Sequence, residues 1–484
     1  SFRVSLERPK TAASGRISPD RDLAGHIRPR IELARGGDRS HGPAVIRWAA
    51  DNLNLEMFEW QQHVLEQQLA TDEDGYFVHT ESLVSVARQN GKSTLLAALI
   101  GWWLTEHAAT EGPQTVANFA QKLALSEDVF RILSPILDER YGGRSWHTSG
   151  RQMSELPDGS RWIVASANKT GAHGLSLDLA VVDELWTIGS EVIYGAITPT
   201  QIARPNPLLS MWSTAGDDHS EAMLHIRQRA LTALELNERP ALYFAEWSPP
   251  PDSDITDPSA WQHANPAMGR TITAPRLANN LQTMPRNEFV RAHCNMWVQS
   301  SSSWLEPGQW SALETDIAPP AGGVLVIETS LDDSTVSGVV VVALDDERLH
   351  ARHAFTVSSL AEAWQHTAAH LEERNTQLAV TPGIAEFLPQ EQKRRAVIVG
   401  QREAYRYTAH VLELIRHGRI VHPAGQTMLD EHVNRAVLVK SNSGVAIHGS
   451  KSNGPVELAR ALVWAAGLAA KPTRRPVPAM GRAR

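Results

Sequence analysis

Cysteine is nearly absent: Cys294 is the one thiol in 484 residues. That excludes a disulfide framework and fits a reducing compartment. No apolar run approaches the roughly 20 residues needed to span a bilayer, and no secretory-type segment opens the sequence. A positive charge excess is also missing, since 46 Lys and Arg stand against 54 Asp and Glu, for a net charge of −8. The chain as a whole is therefore not a basic nucleic-acid binder, and any contact with DNA must come from local patches. No internal repeat is found. At this length two or more domains are expected, each with its own core.

What is present is concentrated at Leu83–Val86, a β-rich run that flows into Ala87-Arg88-Gln89-Asn90-Gly91-Lys92-Ser93 and then into a helical stretch beginning near Thr94. A strand, a tight turn and a helix start form the context of a phosphate-binding loop. Backbone N–H groups of the turn and of the helix N-terminus face a triphosphate. Lys92 reaches its outer phosphates, and the Ser93 hydroxyl ligates magnesium. The pattern is a variant: Val86 replaces the usual first glycine, and Arg88 lies inside the loop. A Gly-Lys-Ser helix start that binds nothing is the plainer alternative.

The partner strand reads Leu177-Asp178-Leu179-Ala180-Val181-Val182-Asp183-Glu184. An apolar run ending in two carboxylates predicts a buried parallel strand with acids at its C-terminal edge. Asp183 is expected to hold magnesium, and Glu184 to polarise the attacking water. Further strands are predicted at Thr115–Ala120, Trp162–Ser166, Leu208–Ser213 and Leu242–Trp247. A second pattern begins past Pro319-Pro320-Ala321-Gly322-Gly323, with strands at 324–328, 337–344 and 348–357 and a closing helix over 455–470. The expected division is an extended arm (1–42), an α/β unit with a lid region (43–300), a linker (301–323), a second α/β unit (324–470) and a basic tail (471–484).

In order and spacing these motifs resemble the large terminase subunit of tailed double-stranded-DNA phages, over roughly residues 43–470. The resemblance implies an α/β fold with an N-terminal P-loop ATPase sheet and a C-terminal RNase H-like nuclease domain. Trp60-Gln61 matches the family's adenine-reading pair, and Val86–Ser93 its phosphate loop, arginine included. His173-Gly174 followed by Val181-Val182-Asp183-Glu184 resembles its acidic motif and lead-in. Ser213-Thr214-Ala215-Gly216 resembles its γ-phosphate-sensing motif, and Ala264-Asn265-Pro266 and Asn295-Met296-Trp297 its inter-domain elements. The ATP site implied is Trp60, Gln61, Arg88, Gln89, Asn90, Gly91, Lys92, Ser93, Thr94, Asp183, Ser213 and Thr214, with Glu184 and Arg88 catalytic. Arg88, or an arginine such as Arg204 offered to a neighbouring subunit, would neutralise charge on the transferred phosphoryl group; pairing of Arg88 with a nearby carboxylate is the alternative.

For the nuclease half the resemblance implies carboxylates holding two metals for phosphodiester hydrolysis. Glu328, Asp333 and Glu457 fill three positions, while Thr381 stands where a fourth acid is usual; Asp332 or Glu386 is a substitute. Magnesium serves the ATPase, and manganese is a further cofactor for the nuclease. Implied partners are double-stranded DNA, the small terminase subunit, the procapsid portal and further copies in a ring, with no membrane, in the host cytoplasm. The alternative is a motor whose RNase H-like domain no longer cuts and serves to dock or guide DNA. A GTPase reading of Asn168-Lys169-Thr170-Gly171 lacks its closing acid, and a helicase reading conflicts with the C-terminal half.

Overall fold

The computed structural model describes residues 23–470, except 122, 149–150, 169–170, 173, 218, 251–252, 299–303, 307, 374, 442–443, 450–451 and 453, and the side chains of 123–127, 148 and 151. His173, the serine run 301–303, residues 1–22 of the expected arm and the tail 471–484 lie outside the described residues.

The first body is a nine-stranded sheet. In chain order its strands are β1 (Ile31–Leu33), β4 (Glu81–Ser85), β5 (Thr115–Ala120), β6 (Arg144–Thr148), β7 (Arg151–Glu155), β8 (Arg161–Ser166), β9 (Leu179–Val182), β10 (Leu208–Ser213) and β11 (Leu242–Glu246). A separate short pair, β2 (Arg39–Ser40) and β3 (Ala70–Thr71), lies beside it. The spatial order is β1-β11-β4-β10-β9-β5-β8-β7-β6. The strands from β11 to β8 are parallel, and the edges are antiparallel. Both faces are covered, so the central strands are buried almost throughout and mostly apolar. Alternation decides which face each residue serves: Leu208 and Trp212 join the core beneath the helix Lys92–Trp102, and Leu209 and Met211 join the core on the opposite side.

Two expectations are corrected here. Residues 31–33 do not lead in loosely but pair with β11, and Arg30 and Glu32 on this stretch are bonded into the body. The expected linker is also partly core: Trp304 is 3% and Trp310 1% exposed, and both pack with the second sheet. The indole of Trp310 donates to Asp430 and stacks on His422 with ring centroids 4.2 Å apart.

The second sheet begins with the antiparallel strands β12 (Gly323–Thr329), β13 (Val336–Ala343) and β14 (Leu349–Val357). It continues with the parallel additions β15 (Thr376–Val380), β16 (Ala396–Ile398) and β17 (Ile420–Val421), in the order β16-β15-β12-β13-β14-β17. The helices Gln401–Arg416 and Glu457–Ala469 cover one face, and Leu360–Glu372 covers the other. This is the RNase H-like arrangement the resemblance implied. A short hairpin, β18 (Leu438–Ser441) with β19 (Gly444–Ile447), stands beside it.

Between the sheets lies a helical lid segment with helices Pro258–Ala264, Ala274–Thr283 and Arg286–Cys294 around a small apolar centre. The bodies meet through ions. Arg30 donates across to Glu431 at 2.7 Å, next to Arg227, which donates to Glu246 within the first body at 2.6 Å. Glu431 also binds Arg435 at 3.2 Å, and His432 contacts Glu235 at 3.0 Å. No helix among the described residues is long and apolar enough to cross a membrane.

Candidate functional site

The register of three neighbouring strands assembles the first site. Ser85 at the end of β4 lies level with Ser213 on β10, and Val182 of β9 with Met211. The phosphate loop leaving β4 therefore opens beside Asp183 and Ser213-Thr214. Gln89 and Gly91 take positive φ values of 66° and 94°. Those two left-handed residues turn the chain sharply into the helix Lys92–Trp102. The N–H groups of Lys92, Ser93 and Thr94 open that helix and have no intrahelical partner.

Lys92 is 9% exposed, and its ammonium is buried with no hydrogen-bond partner among the described residues. The same holds for the Thr214 hydroxyl. Burial pushes the Asp183 carboxyl up, and the nearby Lys92 charge opposes that push. A lysine and a threonine orphaned beside a buried acid fit a bound triphosphate and its magnesium, which would supply their missing partners. Ser93 begins the helix next to Lys92. Thr94 is otherwise engaged: its hydroxyl donates to the Gly91 carbonyl at 2.9 Å.

Trp60 does not offer a face to a base. It is 1% exposed and packs edge-on against Trp247, with centroids 5.4 Å apart. Gln61 is equally buried. Its amide donates to the Gly91 carbonyl at 3.0 Å and accepts from Phe58 N–H at 2.9 Å. The pair thus ties helix Glu59–Gln68 to the loop. Arg88 is exposed and opens onto a cleft lined by Arg276, Asn280 and His293. Arg204 sits at the wrong end of the sheet: it donates to the Ser176 carbonyl at 2.7 Å and lies 3.5 Å from Asp178, before β9 begins.

Two asparagines of the lid segment complete the loop; the resemblance marked both as inter-domain elements, with no contact to the loop. The Asn265 carbonyl oxygen accepts from Asn90 at 3.2 Å, while its amide donates to the His293 and Trp261 carbonyls. Asn90 returns the contact by accepting from Ala267 N–H and donating to Ala87 O. Asn295, in the left-handed region at φ 49°, bonds Ser85, Ala215 N–H and Trp247 O. It gathers the ends of β4, β10 and β11 into one knot. Asn265→Ala strips partners from Asn90, a loss of about 1–3 kcal/mol in loop order. The KM for ATP is expected to rise about tenfold, since 1.4 kcal/mol is a decade; an unchanged KM counts against the clamp.

In the second sheet Glu328 on β12 and Glu457 at the start of helix Glu457–Ala469 are brought together, 5% and 3% exposed. Each has a buried carboxylate oxygen, Oε2, without a hydrogen-bond partner. Burial pushes Glu328 up to about 8, against the pull of Arg460 3.5 Å away and with a further push from Glu457. Glu457 is raised too, chiefly by burial, with His432 opposing at 3.7 Å. Asp333 does not join them. It is exposed in the Leu331–Ser334 turn, held at φ 55°. Asp332 accepts from Ser334 and caps the same turn. Thr381 falls level with Glu328, one residue past the pair Ile327 and Val380. Among the described residues no group of three His, Cys, Asp or Glu is placed to hold a metal ion. The expected three-carboxylate set is therefore not assembled, and the residues present do not fit a two-metal centre.

The sign of the pH dependence follows from Glu328. A carboxyl raised in the folded state costs nothing while protonated, below about 4.5, and costs progressively more as pH climbs towards about 8. Glu328→Gln is expected to raise the melting temperature, by an amount that grows across that window and then levels, worth about 1–3 kcal/mol. Melting curves from pH 5 to 9 check it; a variant less stable than the parent at pH 8 sinks the reading.

A loop-and-acid site of this kind on a parallel sheet, followed by an RNase H-like sheet, is the arrangement of a P-loop-type sheet joined to a nuclease-type fold. Residues 241–392 match the family model for the terminase large subunit, endonuclease domain. The chain is 26% identical over 283 residues to the large terminase subunit of Enterobacteria phage HK97, covering 55% of this chain and 54% of that protein. It is 24% identical over 159 residues to protein YmfN of Escherichia coli K12, covering 32% and 35%. The chain thus spans about half or less of the curated relatives it matches. The crystal structure of the HK97 large terminase covers 89% of this chain and 100% of its own, at 19% identity and a TM-score of 0.49. The resemblance to phage large terminase subunits therefore stands on the family model and the curated HK97 relative.

Proposed function

We propose that the chain is the ATP-hydrolysing large subunit of a phage terminase, acting in the host cytoplasm to drive double-stranded DNA into a procapsid. The carrying observation is the buried, partnerless Lys92 ammonium beside Asp183, with Thr214 likewise orphaned. In this reading Lys92 and the loop N–H groups hold the triphosphate, and Ser93 and Asp183 hold magnesium. The metal supplies charge neutralisation on the phosphates. Glu184 orients and polarises water, Thr214 senses the terminal phosphate, and exposed Arg88 is free to reach phosphate charge. The working division is an ATPase unit with its lid segment followed by an RNase H-like unit, with residues 304–313 in the core of the latter. Partners are duplex DNA, the portal, the small subunit and further copies in a ring.

The RNase H-like unit is proposed to guide or dock DNA with little or no cutting. Two carboxylates with an arginine alongside, and a threonine level with them, support this. Metal-dependent cutting of concatemers is the second reading, favoured by the two partnerless carboxylate oxygens. Plasmid relaxation in magnesium and manganese decides: robust cleavage that survives Glu328→Gln would place the chemistry elsewhere.

For the motor, magnesium-dependent ATP turnover should be low in the isolated chain and rise with duplex DNA and with assembly. DNA affinity should fall steeply with salt, because phosphate contacts release counterions. No ATP turnover under any of these conditions sinks the proposal.

A further inference from the structure

We infer that Trp186 is a positioning residue for ATP hydrolysis: its indole N–H holds the carboxylate of Glu184, and Arg291 of the lid helix, stacked on the same ring, ties that carboxylate to the lid. This rests on the role of Glu184 proposed above.

The local chain geometry is unusual. Glu184 takes φ 55°, in the left-handed region, which costs a residue with a side chain about 1–3 kcal/mol. The strain is held by the turn that follows. The Glu184 carbonyl accepts from both the N–H and the hydroxyl of Thr187 at 3.0 and 2.9 Å. That turn folds Trp186 back over its neighbour, so that the indole Nε1–H donates to Glu184 Oε2 at 2.6 Å. A hydrogen bond to a carboxylate is stronger than a neutral one, and it fixes the rotation of the group. It occupies one oxygen and leaves the other for water.

Trp186 is itself anchored to the sensing strand. Its backbone N–H donates to the Ser213 hydroxyl at 3.0 Å, and its carbonyl accepts from Ser220 at 2.7 Å. The face of its ring carries Arg291, whose guanidinium carbon lies 4.2 Å from the ring centroid. Arg291 is 7% exposed, pairs with Glu288 at 2.9 Å, and keeps its Nη1 buried without a hydrogen-bond partner. A desolvated guanidinium on tryptophan is among the stronger contacts of its type.

The same turn of helix Arg286–Cys294 touches the phosphate loop. Ala292 O accepts from Arg88 N–H at 2.9 Å, and His293 O accepts from the Asn265 amide. One helical turn therefore contacts the loop, the asparagine clamp and the tryptophan holding the water-polarising acid. Displacement of this helix must carry the indole along or break the stack. Either way the aim of Glu184 changes with the lid.

Trp186→Phe tests the link, because phenylalanine keeps an aromatic ring for Arg291 and has no N–H to donate to Glu184. Expected are a fall in kcat of about tenfold, part of what a positioned base contributes, with KM for ATP within about twofold. Arg291→Met should act in the same direction, and the double variant should be no worse than the worse single one, since both work through one carboxylate. The deciding measurement is single-turnover hydrolysis with enzyme in excess, in a Glu184→Gln background. There Trp186→Phe should have no further effect. A merely structural tryptophan would slow both backgrounds alike, and that result overturns the inference, as does a parental kcat in Trp186→Phe alone. If Glu184→Gln itself keeps near-full turnover, it is the role of Glu184 that fails, a distinct outcome.

Discussion

Lys92→Ala is expected to abolish ATP turnover, and Glu184→Gln to lower kcat by about 10²–10⁴-fold while nucleotide binding survives. The two losses differ in kind. Lys92 brings a buried, unpartnered ammonium to the loop and holds down the buried carboxyl of Asp183. Its removal strips charge from the phosphate site and lets burial drive Asp183 towards its neutral form, a poor magnesium ligand. Binding and turnover should therefore fall together. Glu184 lies at the exit of β9, pinned by Trp186, and in the proposed role acts on water during the reaction. Its amide variant keeps shape and hydrogen bonding but not basicity, so affinity for a fluorescent nucleotide should be near the parent's. Near-full activity in Glu184→Gln, or tight nucleotide binding in Lys92→Ala, would remove that residue from its role.

The second large effect is expected at the joint between the sheets. Burial pushes the Glu431 carboxyl up, yet the guanidinium groups of Arg30, Arg435 and Arg227 outweigh it and hold the group down at about 2. Glu431 is 13% exposed at its side chain, so solvent screens the site weakly. A carboxyl depressed in the folded state stabilises fully above its unfolded value, near 4.5, and that contribution disappears as pH falls towards about 2. The difference corresponds to about 3 kcal/mol. Glu431→Gln should therefore lose about 3–5 kcal/mol at neutral pH, because breaking a buried pair strands the opposite charges. In denaturant titrations the gap should shrink to less than half at pH 3 and close only around pH 2. Equal stability at pH 7 would show that the arginines find other partners.

Long apolar runs were the legible part of the fold. Thr115–Ala120 and Leu208–Ser213 are strands at the bounds the sequence implied, because strands buried on both faces carry little but apolar residues. The hairpin of β6 and β7 escaped notice: Arg144–Thr148 and Arg151–Glu155 are polar, exposed in part, and stabilised by pairing rather than burial. β1 has three residues, too few for any period. Residues 304–313 read as linker, although Trp304 and Trp310 were a sign that the stretch buries area.

At the site, Gly91-Lys92-Ser93 and Asp183-Glu184 stand out by local order alone, and the structure brings Lys92 near Asp183. Asn265 and Asn295 stood in motifs marked as inter-domain elements, but their hold on the loop could not be read. Their partners lie 175 and 210 positions away, and a short motif names no distant contact. Trp60 misled because its neighbours in sequence suggested an aromatic clamp, whereas Trp247 already covers it. Asp333 misled for a related reason. Its spacing from Glu328 is right, but a left-handed turn carries it to the surface.

The asparagine clamp bears on where the first sheet can be cut from the rest. A fragment trimmed after β11, where the parallel sheet ends, would keep every residue of the phosphate loop yet lose Asn265, Asn295 and the Ala292 carbonyl that receives Arg88 N–H. Its loop would be spelled correctly and shaped poorly. A fragment built to test the proposed nucleotide site therefore needs its C-terminal limit beyond Val298, whose N–H pairs with Gly216. The functional module is thus larger than its sheet by some fifty residues, as counted from Glu246 to Val298.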